Sequence, residues 1–106
     1  MGLMNILFGN NKKAEYLKEL YTKGALIIDV RNPNEFVAGH IKDSTNIPLP
    51  NIGKSIASLK QKNKPIIAVC QSGGRSGMAV TILKNNGIDA YNGGPWNVLK
   101  NEMQIQ

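Results

Sequence analysis

Residues Ile66-Ile67-Ala68-Val69-Cys70-Gln71-Ser72-Gly73-Gly74-Arg75-Ser76 lead an unbroken apolar run into a glycine pair and then into a helical pattern. A run of this length, opened by Pro65, reads as a strand buried on both faces. From Ser76 to Asn86, Ala79, Ile82 and Leu83 fall on one helical face, and Gly87 supplies the stop. A second compact apolar run, Ala25 to Val30, has the same character. Helical patterns separate and flank the two. Residues 12–23 put Ala14, Leu17, Leu20 and Tyr21 on one face, ended by Gly24. Asn32-Pro33-Asn34-Glu35 offers an N-cap, a proline at the first helical position and an acid at the third, opening a short helix to about Ala38. A further helix is predicted from Ile52 to Lys62, with Ile52, Ile56 and Leu59 inward. Thr45–Ile47 and Asp89–Tyr91 are predicted as short strands, and Gly93-Gly94-Pro95-Trp96 as the start of a last turn and short helix. Strands that alternate with helices and lack a polar face predict a three-layer α/β domain, its central, mainly parallel sheet covered by helices on both faces.

Composition narrows the chemistry. The chain has 106 residues, the size of one domain. Its 42% hydrophobic and 19% charged residues suit a packed core. A single cysteine and a single histidine exclude an internal disulfide and any multi-cysteine or multi-histidine metal centre. The net charge of +6 invites a nucleic-acid reading, but the positive residues are spread lysines apart from two arginines, Arg31 and Arg75. Only 6% of residues are aromatic and the arginines are two, so no nucleic-acid partner is expected. Met1 to Gly9 is apolar, but Lys12 and Lys13 follow it rather than precede it, unlike a secretory signal. Ile6 stands where a myristoylation motif wants Ser or Thr. Other apolar runs are far below the roughly 20 residues of a membrane span. The expectation is a cytoplasmic protein, monomeric because nothing demands a partner copy. Residues 1–11 form an apolar segment, with Leu3, Ile6, Leu7 and Phe8 docking on a single domain of residues 12–106.

The sharpest chemical feature is Cys70. It ends a buried strand, and in a parallel sheet ligands bind at the carboxyl ends of strands. Gly73 and Gly74 let the chain curl, and a curl of backbone N–H groups running into a helix N-terminus makes an anion cradle. At its rim, a thiolate is favoured and the thiol pKa falls below its free value of ~8.5. Gln71, Ser72, Gly73, Gly74, Arg75 and Ser76 complete the cradle. Arg75 adds positive charge or braces the loop, and Ser76 caps the helix or donates a hydroxyl hydrogen bond. Such a loop suits a sulfur nucleophile acting on an anionic or soft substrate. Asp29 and Arg31 end the other strong strand and share its edge. They are the supporting candidates, with Arg31 expected to pair with Glu35 and Asp29 to bind loop amides. His40 is expected to be a turn residue that satisfies backbone groups rather than a base for Cys70, and Trp96 a core or rim aromatic.

These stretches resemble those of single-domain rhodaneses, the thiosulfate sulfurtransferases. The likeness covers about residues 24–97 through four ordered motifs: Cys70 to Ser76; Asp29-Val30-Arg31 with Glu35; Gly39-His40-Ile41 with Asn46-Ile47-Pro48; and Gly93-Gly94 with Trp96. It implies the rhodanese-like α/β domain and a Cys70 persulfide. That persulfide takes sulfane sulfur from thiosulfate, polysulfide or another persulfide. It passes the sulfur to cyanide in an assay or to a thiol or protein thiol in a cell, and no cofactor or metal is required. The Cys-x4-Arg spacing of Cys70 and Arg75 is one residue shorter than in the related phosphatases and arsenate reductases, and leaves a smaller cradle. Trp96 follows the glycine pair more closely than is usual, and Gln71 stands where many relatives carry a basic residue. Two other functions compete: a non-catalytic binding or redox-sensing module, and a small cysteine-based phosphatase or arsenate reductase.

Overall fold

A computed structural model describes the backbone of residues 2–106 and the side chains from Lys12 onward. The docking expected of Leu3, Ile6, Leu7 and Phe8 lies outside those side chains. Helix α1 runs Gly2–Thr22, longer than the predicted 12–23. It is followed by β1 (Leu26–Asp29), α2 (Pro33–Ala38), β2 (Thr45–Asn46), a 3-10 turn at Leu49–Asn51, α3 (Ile52–Lys62), β3 (Ile66–Cys70), α4 (Gly74–Asn85), β4 (Ala90–Pro95) and α5 (Trp96–Glu102). Four strands pair in the order β2-β1-β3-β4, all parallel. The two central strands are the two apolar runs, as a sheet covered on both faces requires.

Alternation along β3 divides the core. Ile66, Ala68 and Cys70 face Ile52 and Leu59 of α3 and Ala79, Val80 and Leu83 of α4. Ile67 and Val69 face Ala14 and Leu17 of α1, Leu99 of α5 and Met103. Cys70 therefore emerges on the side that α4 covers, and α4 starts four residues later. The order also sets where a site can form. The chain leaves β1 toward β2 on one side and leaves β3 toward β4 on the other. The crevice between the carboxyl ends of β1 and β3 is thus the switch point of the sheet.

Strand β4 is longer than the predicted Asp89–Tyr91, because Gly93 to Pro95 join it instead of forming a turn. They do so through a bulge: Ala68 pairs with Asn92 but Val69 pairs with Gly94, leaving Gly93 as the extra residue. Gly93 has no alternative, since a Cβ there would stand 2.9 Å from Ile67, Val69 and Leu99 side-chain carbons.

Candidate functional site

Cys70 is fully buried at the end of β3. The chain then turns back over it. Gly73, at φ 101, takes the left-handed conformation that a side chain rarely adopts, and caps α4. That turn aims the Gly73 N–H at the Cys70 sulfur, 2.9 Å away. The Ser76 hydroxyl, one turn into α4 and also fully buried, lies 3.2 Å from the same atom. Burial is the largest single influence on the thiol and pushes its pKa up. Hydrogen bonds from Ser76 and from the Gly73 and Ser72 backbone together outweigh it, so the net displacement is downward. Gln71, Ser72 and Gly74 are exposed at the rim.

Arg75 braces rather than faces the sulfur. Its guanidinium donates to both Glu35 carboxylate oxygens, at 2.7 and 3.0 Å, joining the first turn of α4 to α2. Glu35 also accepts the Asn32 N–H at 3.0 Å, the reciprocal bond expected at the start of α2. The Arg75 hydrogen bonds, followed by the Asn32 N–H, hold the Glu35 pKa down at about 2.

The expected Arg31–Glu35 pairing is not what forms. Arg31 instead grips Asp29, with Nε 2.9 Å and Nη2 2.7 Å from its two oxygens. The physical reason is local. Two residues apart on one strand edge, the two side chains leave on the same side of the backbone, whereas Glu35 is turned toward α4. Asp29 accepts one backbone N–H, that of Arg31 itself, so its expected role as a binder of loop amides reduces to that single bond. Arg31 donates further to the Gly39 carbonyl at 2.7 Å and lies 4.8 Å from the Trp96 ring. Trp96 packs among the α1 and α5 residues and sits where a Gly39 Cβ would be 3.1 Å away. Asp29, Arg31 and Trp96 thus stand on the sheet face opposite Cys70. His40 hydrogen-bonds to the Phe36 carbonyl at 2.7 Å and stacks on the Phe36 ring, in keeping with a turn role.

Asn46 stands in the sequence only as part of a motif, with no role attached, and Asn92 went unnoticed. The Asn46 amide donates to the Asp29 and Arg31 carbonyls, both at 2.9 Å, and ties the end of β1 to β2. Asn92 lies beside the cradle: its Oδ1 accepts from Ser76 at 2.7 Å and from the Gly94 N–H at 2.9 Å, and its Nδ2 donates to the Gly73 carbonyl at 3.2 Å. The one available signal was a polar amide immediately before a glycine pair in a strand.

The Rhodanese-like domain family matches residues 13–97. The Bacillus subtilis uncharacterized protein YqhL is 42% identical over 69 residues, which are 64% of this chain and 54% of the relative. The chain thus spans about half that relative's length. Thiosulfate sulfurtransferase GlpE of Pseudomonas syringae is 33% identical over 78 residues, 73% of each protein. Among solved structures, a Rhodanese-like domain protein from Staphylococcus aureus superposes with a TM-score of 0.68 at 32% identity, covering 81% of this chain and 85% of the other.

Proposed function

This chain belongs to the rhodanese-like family, and from that premise we propose that it transfers sulfane sulfur through Cys70. The Cys70 thiolate attacks the outer sulfur of thiosulfate, or of a persulfide or polysulfide. The donor S–S bond breaks, its electron pair leaves with sulfite or with the donor thiolate, and Cys70 keeps the sulfur as a persulfide anion. An acceptor then attacks that outer sulfur. Cyanide leaves as thiocyanate, or a thiolate leaves as a new persulfide, and the Cys70 thiolate returns. No external oxidant or reductant enters the cycle. The amides of residues 71–75 and the Ser76 hydroxyl stabilise the anionic sulfur at each stage.

The observation that carries this reading is the Gly73 N–H aimed at the sulfur from 2.9 Å, at the switch point of the sheet. A phosphatase reading is weaker, because the guanidinium that would clasp an oxyanion is already engaged by Glu35. The reaction is assigned to the cytoplasm, where a lone thiol stays reduced. The test is intact-mass spectrometry after incubation with thiosulfate or a small-thiol persulfide. One added sulfur atom on the protein, lost on adding cyanide and absent in Cys70→Ser, is expected. No added mass with any donor overturns the reading and favours a non-catalytic module.

A further inference from the structure

The Ser76 hydroxyl has one proton and three neighbouring acceptors: Asn92 Oδ1 at 2.7 Å, the Gly73 carbonyl at 3.1 Å and Cys70 Sγ at 3.2 Å. The Gly73 carbonyl is already served. It accepts the Gly77 N–H at 3.0 Å and Asn92 Nδ2 at 3.2 Å, which fills its two lone pairs. The contest is therefore between Asn92 and the sulfur. The Asn92 carboxamide cannot rotate out of it, because the Gly94 N–H needs its oxygen and the Gly73 carbonyl its nitrogen.

We propose that Asn92 is a positioning residue that holds the Ser76 proton away from Cys70 while the sulfur is a thiol, and yields it when the sulfur becomes an anion. In the thiol state Ser76 donates to Asn92 and its oxygen is free to accept from the S–H. In the thiolate or persulfide state the hydroxyl rotates and donates to sulfur, and Asn92 Oδ1 keeps the Gly94 N–H. Asn92 thus stabilises the neutral form and moderates the acidity that the cradle confers. It does so without touching the reacting atom.

The charged groups around Cys70 do not supply this control. Arg75 of α4 is paired with Glu35 of α2, and Arg31 with Asp29 at the end of β1. Strand β4, Ala90 to Pro95, brings no charge to the site. What β4 brings is Asn92, placed opposite Ala68 by the register just before the bulge.

The proposal takes Cys70 as the nucleophile, and so rests on the sulfur-transfer reading, but its test needs no donor. The thiol pKa is read from the pH dependence of iodoacetamide alkylation, which reports one site because the chain has one cysteine. Asn92→Ala is expected to lower the pKa by about half a unit, or about threefold more thiolate below the pKa, the size of a net hydrogen bond. In a Ser76→Ala background the same substitution is expected to leave the pKa unchanged. A purely structural Asn92 predicts the reverse: a loosened loop pulls the Gly73 N–H off sulfur and raises the pKa, with or without Ser76. Asn92→Asp covers an alanine variant that fails to fold. Its carboxylate holds the Ser76 proton more strongly and raises the pKa, by less once Ser76 is alanine. A raised or unmoved pKa in Asn92→Ala, or shifts in either variant that are indifferent to Ser76, overturns the proposal. A Cys70 that ionises as expected yet accepts no sulfur refutes the transfer reading alone.

Discussion

The two arginines of the chain make two unlike ion pairs. Asp29–Arg31 is local and sealed, its side chains 0% and 3% exposed. Glu35–Arg75 spans 40 residues and leaves each side chain about one-third exposed, at 33% and 34%. The first pair welds the end of β1 to the Gly39 carbonyl under the Trp96 ring. The second fastens α2 to the first turn of α4, beside the curl that aims an N–H at Cys70. A sealed pair is costly to break and tells little about reactivity. An open pair adds little to stability, and its worth lies in what it positions.

Breaking the sealed pair should have the largest effect. Arg31→Ala strands the buried Asp29 carboxylate, and chemical denaturation should show a loss of about 3–5 kcal/mol. A loss below 1 kcal/mol would place Arg31 in the same class as an exposed arginine. Breaking the open pair should instead separate stability from chemistry. Arg75→Ala should leave the denaturation midpoint close to that of the parent while persulfide formation slows by up to about 100-fold, the scale of a misplaced reacting group. A fall in stability with unchanged sulfur loading would reverse the contrast. The smallest effect is the acid response of the open pair. The folded pKa of Glu35, about 2, lies below that of an ordinary glutamate. Its contribution is therefore complete above about pH 4.5 and lost as pH falls through about 2. An NMR titration of the Glu35 carboxyl should place its midpoint near that value, and Arg75→Ala should return it toward the ordinary range.

Most of the framework could be read in advance. Two apolar runs announced the central strands, and Gly73-Gly74 after Cys70 announced the curl, because backbone freedom and burial are local properties of composition. Which carboxylate meets which arginine was not legible. The choice between Asp29 and Glu35 as the partner of Arg31 depends on the direction in which each side chain leaves its element, and that is settled only when Arg75, 40 residues on, takes Glu35. Asn92 escaped for a similar reason. Its bond from the Gly94 N–H is local, but its bonds to Ser76 and Gly73 join residues that a sheet crossover gathers and that no spacing rule connects.

Gly93 has a consequence for the whole carboxyl-terminal end. A strand counts in twos, so one surplus residue shifts the phase of everything after it. Without that surplus, Gly94 would pair with Cys70 and Pro95 would fall one step past the end of β3. With it, Gly94 pairs with Val69 and Pro95 with Cys70. The half-period step leaves Asn92 on the cradle side and delivers Trp96 to the other side, beside Arg31. One residue without a side chain thus sends Asn92 and Trp96 to opposite faces of the sheet.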